Sequence, residues 1–345
     1  GGVRVQKVEA GAGKWNVLAV KGPDGAEGGV ALSGHMDVVP AEADGGTSEP
    51  FVLTDRGDRW VARGSADMKG VLALAVNLCR GVDGGRLKAP LGLLLTCDEE
   101  LGSLGAQALA RDAGALEGMP RRVVVGEPTS MRVVRMHKGH LKMRLVVEGV
   151  SAHSGYPQLG VNAIEPAGRA IVALEKLRKE LEGERVETAK YFEQTPFATV
   201  NVARVVGGGA INVVPNRCEV EFGLRLLPGM DSEGMVERVR GVIEGAMEGA
   251  GHAVEVINDS PPMLLDEGAS LSRILCEAVG QRGTATLSLA SDAGTLQRLG
   301  FECALFGPGS IEVAHKADEW LPKEEFARAR GVLERVVERM CVDGE

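Results

Sequence analysis

The sequence predicts an α/β protein, a mostly parallel sheet covered by helices, with a second domain of α+β type inserted into it. Strand-like and helix-like stretches alternate up to residue 138, the rhythm that builds a parallel layer. From 139 to 257 the pattern changes to fewer strands with two-sided alternation and longer helices, as in an antiparallel sheet with one wet face. Alternation then resumes from 258 to 345, so 1–138 and 258–345 are expected to form one domain around the insertion.

Val3 to Val8 and Asn16 to Lys21 read as strands; after the turn at Pro23-Asp24-Gly25, a third runs from Gly29 to Gly34 and ends at His35. Asp67 is expected to open a helix, because Met68, Val71, Leu72, Ala75 and Leu78 form a helical stripe before Cys79. Leu91-Gly92-Leu93-Leu94-Leu95-Thr96 is a buried strand, and Cys97-Asp98-Glu99-Glu100 puts three consecutive carboxylates at its tip. Such neighbours repel unless a cation or a proton sits between them. Leu104 to Ala113 reads as a helix, and Arg122 to Val125 as a strand running into Gly126-Glu127-Pro128-Thr129.

In the inserted part, strands are expected at Leu141 to Glu148, Ala198 to Val206 and Glu219 to Leu226, and helices at Val161 to Glu182 and Ser232 to Ala250. Gly207-Gly208-Gly209 is a loop tip without the strand-to-helix spacing of a phosphate cradle. The last part carries helical or strand patterns at Leu271 to Gly280, Thr295 to Leu299 and Cys303 to Phe306, and closes on a helix from Lys323 to about Met340.

Composition narrows the partners. A net charge of -9 and an aromatic content of 3% offer neither a basic face nor a stacking platform, which argues against nucleic acid. No apolar run approaches the roughly 18 residues of a membrane span, and no signal peptide is recognisable, so the expected place is the cytoplasm. The six cysteines contain no CxxC pair and read as reduced thiols. A small molecule is the expected partner.

The chemistry gathers at strand ends. His35 and Asp37, two residues apart, point to the same side, so the acid can orient the imidazole. Asp67 alone reads first as a helix-capping residue. With Glu99, Glu100, Glu127 and His315, however, four strand ends and one helix start supply two imidazoles and several carboxylates at the edge where open α/β sheets bind ligands. Two imidazoles with three carboxylates, one able to bridge, suit a pair of divalent ions.

A resemblance runs over nearly the whole chain. Ser33-Gly34-His35-Met36-Asp37, Gly64-Ser65-Ala66-Asp67-Met68-Lys69-Gly70, Asp98-Glu99-Glu100, Gly126-Glu127-Pro128-Thr129, His137-Lys138-Gly139-His140, Ser151-Ala152-His153-Ser154, Gly160-Val161-Asn162-Ala163 and Gly307-Pro308-Gly309-Ser310 with His315 occur in the order found in the M20 family of dinuclear metallohydrolases, which the chain resembles. The resemblance implies a metallopeptidase-like catalytic domain, an inserted lid that also dimerises, and two divalent ions, zinc first and cobalt second. By position, His35 and Glu127 would bind one ion and Glu100 and His315 the other, with Asp67 bridging. Glu99 would be the general base, with Asp37 orienting His35. His153 would stabilise the oxyanion in the site of a partner subunit of a homodimer. Arg225, Asn212 and Asp292 are implied substrate contacts.

The substrate implied is a small N-acyl amino acid. Gly307 to Glu319 and Arg135 to His140 resemble the deacetylases of the family, whereas Ala290 to Thr295 and Ile211 to Asn216 resemble its desuccinylases; the balance favours an acetylated basic amino acid, with a desuccinylase, aminoacylase or dipeptidase as the alternative. A non-catalytic metal-binding or dimerisation module would lack the base or a ligand, and here all six positions carry suitable residues. Members of the family also carry a helical segment before the first strand that this sequence does not contain.

Overall fold

In a computed structural model that describes residues 2–41 and 46–345, the first residues form an antiparallel hairpin of β1 (Val3–Gly11) and β2 (Lys14–Lys21). The remaining strands are β3 (Val30–His35), β4 (Thr54–Asp55), β5 (Arg59–Val61), β6 (Leu91–Thr96), β7 (Arg122–Val125), β8 (Val134–His137), β9 (His140–Glu148), β10 (Thr199–Gly207), β11 (Arg217–Arg225), β12 (His252–Ser260), β13 (Met263–Leu264), β14 (Ala285–Leu287), β15 (Glu302–Leu305) and β16 (Trp320–Pro322). They fall into two units, Gly1–Met136 with Met263–Thr286 and Ser291–Glu345, and His137–Pro262 with Leu287–Ala290.

The first unit is built on a sheet of order β1-β2-β6-β3-β7-β15-β8-β13, with β14 beside β8. Its central strands β6, β3, β7 and β15 are parallel, with Leu32 between Leu93 and Val124 and Ala304 beside Val124. Strands buried on both faces need continuous apolar runs, which is how β3, β6 and β7 read. On one face α1 (Gly70–Gly81), α5 (Ser270–Val279) and α7 (Lys323–Val337) bury Leu74, Leu271, Ile274, Leu275, Val332, Leu333 and Val336 with Leu32, Leu93, Val124 and Phe306. On the other lie α2 (Leu104–Leu109) and α6 (Asp292–Arg298), tied down where Asn16 Nδ2 donates to the Gly105 carbonyl at 2.8 Å and Thr96 Oγ1 donates to Asp292 Oδ2 at 2.5 Å. A small antiparallel sheet of order β16-β5-β4 fastens the chain after His315 to the chain before Asp67.

One expectation is corrected here. Asp67 does not open a helix: it sits at φ -118°, ψ 86°, in a turn over Ser65–Lys69, and regular helix begins at Gly70. Met68 fills part of the expected apolar stripe from this irregular turn and is fully buried, which is why periodicity alone ran the helix too far back.

The second unit is a four-stranded antiparallel sheet of order β10-β11-β9-β12 with α3 (Ile164–Gly183) and α4 (Ser232–Met247) on one face. Ala167, Ala170, Leu174, Leu177 and Leu181 of α3 and Met235, Val239, Ile243 and Met247 of α4 bury at helical spacing against Leu141, Met143, Leu145 and Phe222. Asp231 caps α4, accepting from the N–H groups of Glu233 and Gly234 at 3.0 and 2.9 Å. The opposite face carries a charged ladder in which Arg144 lies 3.1 Å from Glu221 and 3.7 Å from Glu255. Among the described residues, no helix is long and apolar enough to cross a membrane.

Candidate metal centre

β3 delivers His35 at its carboxyl end, 1% exposed. The ring Nδ1 lies 3.1 Å from the Asp37 carbonyl oxygen and 3.6 Å from Asp37 Oδ1, which leaves Nε2 to face inward, 3.0 Å from Asp67 Oδ1. Asp37 also accepts the backbone N–H groups of Glu99 and Glu100 at 3.2 and 3.1 Å, fastening the acid tip of β6 to the end of β3. Asp98 makes the intervening bend at φ 53°, and Lys14 Nζ holds its carboxylate at 2.7 Å.

The turn bearing Asp67 lies almost on the strand ends, which requires glycine there. A Cβ on Gly34 would stand 2.4 Å from Met68 Cε, and one on Gly126 would stand 2.2 Å from Val71 Cγ1. So seated, Asp67 turns its second oxygen to His315 Nε2 at 3.2 Å, and that nitrogen is 3.0 Å from Glu100 Oε1. The result is two donor groups sharing one carboxylate. Ligand atoms of His35, Asp67 and Glu127 all lie within 4.8 Å of one another, as do those of Asp67, Glu100 and His315.

The electrostatics explain what the arrangement requires. Burial, and after it the Asp67 carboxylate, pushes the Glu127 carboxyl up to about 8. Burial with the charges of Glu127 and Asp292 raises Glu99 well above the usual carboxylate range. Burial also works against ionised Asp67, but hydrogen bonds to His315 and His35 outweigh it and hold that carboxyl low. In return, Asp67 and Glu100 lift His315 to about 10. Carboxyls packed this closely resist ionising together without added positive charge. Imidazole nitrogens and carboxylate oxygens, with one carboxylate shared, are a donor set that fits two divalent ions of the zinc or cobalt type.

Comparison with known proteins agrees with this geometry. The profile of peptidase family M20/M25/M40 matches residues 31–339. The chain belongs to the M20 family. It is 36% identical to an acetylornithine deacetylase of Myxococcus xanthus, covering 96% of this chain and 86% of the relative, and 34% identical to one of Erwinia tasmaniensis, covering 98% and 87%. In fold it is similar to an M20 family metallo-carboxypeptidase from Sulfolobus solfataricus (TM-score 0.76, 17% identity, 97% and 90% of the two chains) and to a tripeptidase from Staphylococcus aureus (TM-score 0.72, 19% identity, 98% and 88%). The M20 chain is thus a hydrolase whose relatives are named as deacetylases and peptidases.

The residues expected from sequence divide between the units of this M20 chain. His35, Asp37, Asp67, Glu99, Glu100, Glu127, Asp292 and His315 belong to the first. Glu99 joins neither donor group, although its carboxyl feels those of Glu127 and Asp292. Asp292, expected to contact substrate, is 1% exposed and bonded to Thr96, with its own pKa raised by burial against that hydrogen bond. It therefore supports β6 from beneath instead of presenting an open carboxylate. His153, Asn212 and Arg225 belong to the second unit. His153 and Asn212 are exposed neighbours there: His153 bridges Val213, and the Ser154 N–H donates to the Asn212 carbonyl at 3.0 Å. Arg225 closes the far end of β11. Sequence reading missed Arg63 and Glu319, which hold the Asp67 turn; an acid and a base far apart in loops carry no periodic signal.

Proposed function

We propose that the chain hydrolyses the amide bond of N-acetylornithine, giving acetate and ornithine, a step of arginine biosynthesis. The observation that carries the hydrolytic reading is the Asp67 carboxylate with one oxygen toward His35 and the other toward His315. The substrate is supported by the names of the relatives, which match over most of their own length. His35 and Glu127 would hold one ion, Glu100 and His315 the other, and Asp67 both, with zinc favoured by the nitrogen and oxygen donors and cobalt the alternative.

When bound, such ions lower the pKa of a water and polarise an acyl carbonyl. Asp37 fixes the His35 ring and the backbone of Glu99 and Glu100. Glu99, raised by burial and by the charges of Glu127 and Asp292 against the opposing effect of His35, takes the proton of the attacking water and returns it to the leaving amine, so one carboxylate serves both transfers. Asp292 and Thr96 keep β6, and with it Glu99, in place.

The second unit, as lid and dimerisation domain, would bring His153 to the oxyanion of a second copy's substrate, with Asn212 and Arg225 contacting that substrate. Homodimer formation is supported by apolar residues exposed there, with Val150 and Val161 paired at 52% and 49% exposure. Activity in the cytoplasm accords with a small amino-acid substrate.

The test is amine release from N-acetylornithine against N-succinyl-diaminopimelate by metal-stripped protein, with and without zinc. Zinc-dependent release from the acetyl substrate is expected. Preference for the succinyl substrate would move the assignment to desuccinylation, and release from neither would remove both.

A further inference from the structure

Four donors from one short loop converge on a buried carboxylate that belongs to neither donor group. Glu319 is 2% exposed. Its Oε1 accepts the N–H groups of Ala66 and Asp67, each at 2.9 Å, and its Oε2 accepts the N–H of Gly64 at 2.8 Å and Nη1 of Arg63 at 3.0 Å. An ionised carboxylate has about four acceptor sites, so the loop fills it completely. The main chain of Glu319 is engaged as well: its carbonyl accepts the Ala62 N–H at 3.0 Å and Ser65 Oγ at 3.3 Å, and the following residue, Trp320, pairs with Val61.

The loop needs such a template. Gly64 stands at φ 78° and Asp67 outside helical geometry, so the N–H groups of Gly64, Ala66 and Asp67 point inward to an acceptor on another segment. The same segment carries His315 four residues earlier, and Arg63 Nη1 also donates to the Lys316 carbonyl at 3.0 Å. Two segments more than 250 residues apart are thereby stapled together, one bringing Asp67 and the other His315.

We propose that Glu319 is a positioning residue: by fixing the main chain at Asp67 against the His315 segment, it sets the distance between the shared carboxylate and the outer imidazole, and so the affinity of the donor group of Asp67, Glu100 and His315. This rests on reading Asp67 as the shared metal ligand. Glu127 and His35 come from β7 and β3, which the staple does not touch, so the inner group is affected less.

The test is Glu319→Gln. A side-chain amide turns an N–H₂ toward two of the four donors, so the shape is kept while half of the template is lost. Both zinc dissociation constants would be measured by competition with a chromophoric chelator, and the cobalt-loaded protein by its visible absorption. The weaker constant is expected to rise about 10- to 100-fold, the usual effect of removing an outer partner of a ligand, with a smaller change in the tighter one and an altered cobalt spectrum. A merely structural role would lower the melting temperature of the metal-free protein and leave constants and spectrum alone. A folded Glu319→Gln with both constants within about twofold of wild type and an unchanged spectrum overturns the proposal. If circular dichroism shows that variant unfolded, Arg63→Gln keeps the three N–H bonds and loosens the same staple; it must also weaken the outer constant, and unchanged affinity there overturns the proposal equally. Asp67→Asn, run alongside, separates the premises: two ions still bound by that variant would refute Asp67 as shared ligand, whatever Glu319 does.

Discussion

Each unit buries a cluster of charge, and the two are satisfied in opposite ways. In the second unit Lys138 is 1% exposed, yet its ammonium donates to the carbonyls of Thr195 and Phe197 at 2.7 and 3.0 Å and lies over the Phe192 ring. His137 beside it has its Nδ1 2.9 Å from the Lys138 carbonyl, and burial followed by the charge of Arg225 pushes it down to about 4, so it is buried neutral. The chain's own carbonyls close this cluster. In the first unit Glu99, Glu127 and Asp292 are pushed upward by burial and then by neighbouring carboxylates, and His35, which acts on all three in the opposite sense, offsets only part of that. That cluster calls for charge from outside the chain. A buried charge balanced by backbone holds the fold, whereas one left to be balanced by an ion marks the site of chemistry.

The largest effect expected from breaking this contrast is on turnover. Glu99→Gln should cost about 10²- to 10⁴-fold in kcat while bound metal per chain stays as in wild type; near-normal turnover would take proton transfer away from Glu99. Next comes the separation of the two donor groups. His315→Ala removes a half-exposed arm of one group, whereas the group of His35, Asp67 and Glu127 keeps all of its own ligands, so elemental analysis should find one ion lost and one kept. Equal loss of both would mean that the groups do not bind independently.

The closed cluster predicts a dependence on pH. His137 resists protonation when folded, down to about 4, but accepts a proton near the ordinary 6.5 when unfolded. Between these values the unfolded chain binds more protons, so stability is present above 6.5 and is lost as pH falls toward 4. Urea unfolding of wild type against His137→Gln should show wild type losing roughly 3 kcal/mol more across that window, from about 1.4 kcal/mol per pKa unit; parallel pH profiles would contradict the neutral buried imidazole. The smallest expected effect is that of Lys138→Met, which strands two carbonyls and should cost about 2 kcal/mol of unfolding free energy with zinc affinity unchanged. A loss of zinc in that variant would join the two clusters that this account keeps apart.

Legibility in the sequence followed burial. Arg122 to Val125 could be placed to the residue, and the strands ending at His35 and Thr96 to within one at their starts, because runs buried on both faces have little freedom of composition. His35, Glu100 and Glu127 stood out as polar residues at the tips of such runs. β4, β5 and β16 span two or three residues each, too short for any period to register, and β12 reads as polar because much of it is exposed. The geometry of Asp67 was hidden for another reason: its turn is held by Glu319, 252 residues away, and by glycines at Gly34 and Gly126 that matter only through what packs on them. Asp292 is implied as a substrate contact only through its motif's resemblance; that it is covered and accepts from Thr96 depends on how α6 packs against β6, which no local pattern carries.

The most direct measurement is a zinc titration of metal-stripped protein, with ornithine release from N-acetylornithine followed at each addition. No release is expected without zinc, and the rate should climb until two ions are bound per chain, the number that a carboxylate shared between His35 and His315 can serve. Full release from the stripped protein, unaffected by added zinc, would contradict this.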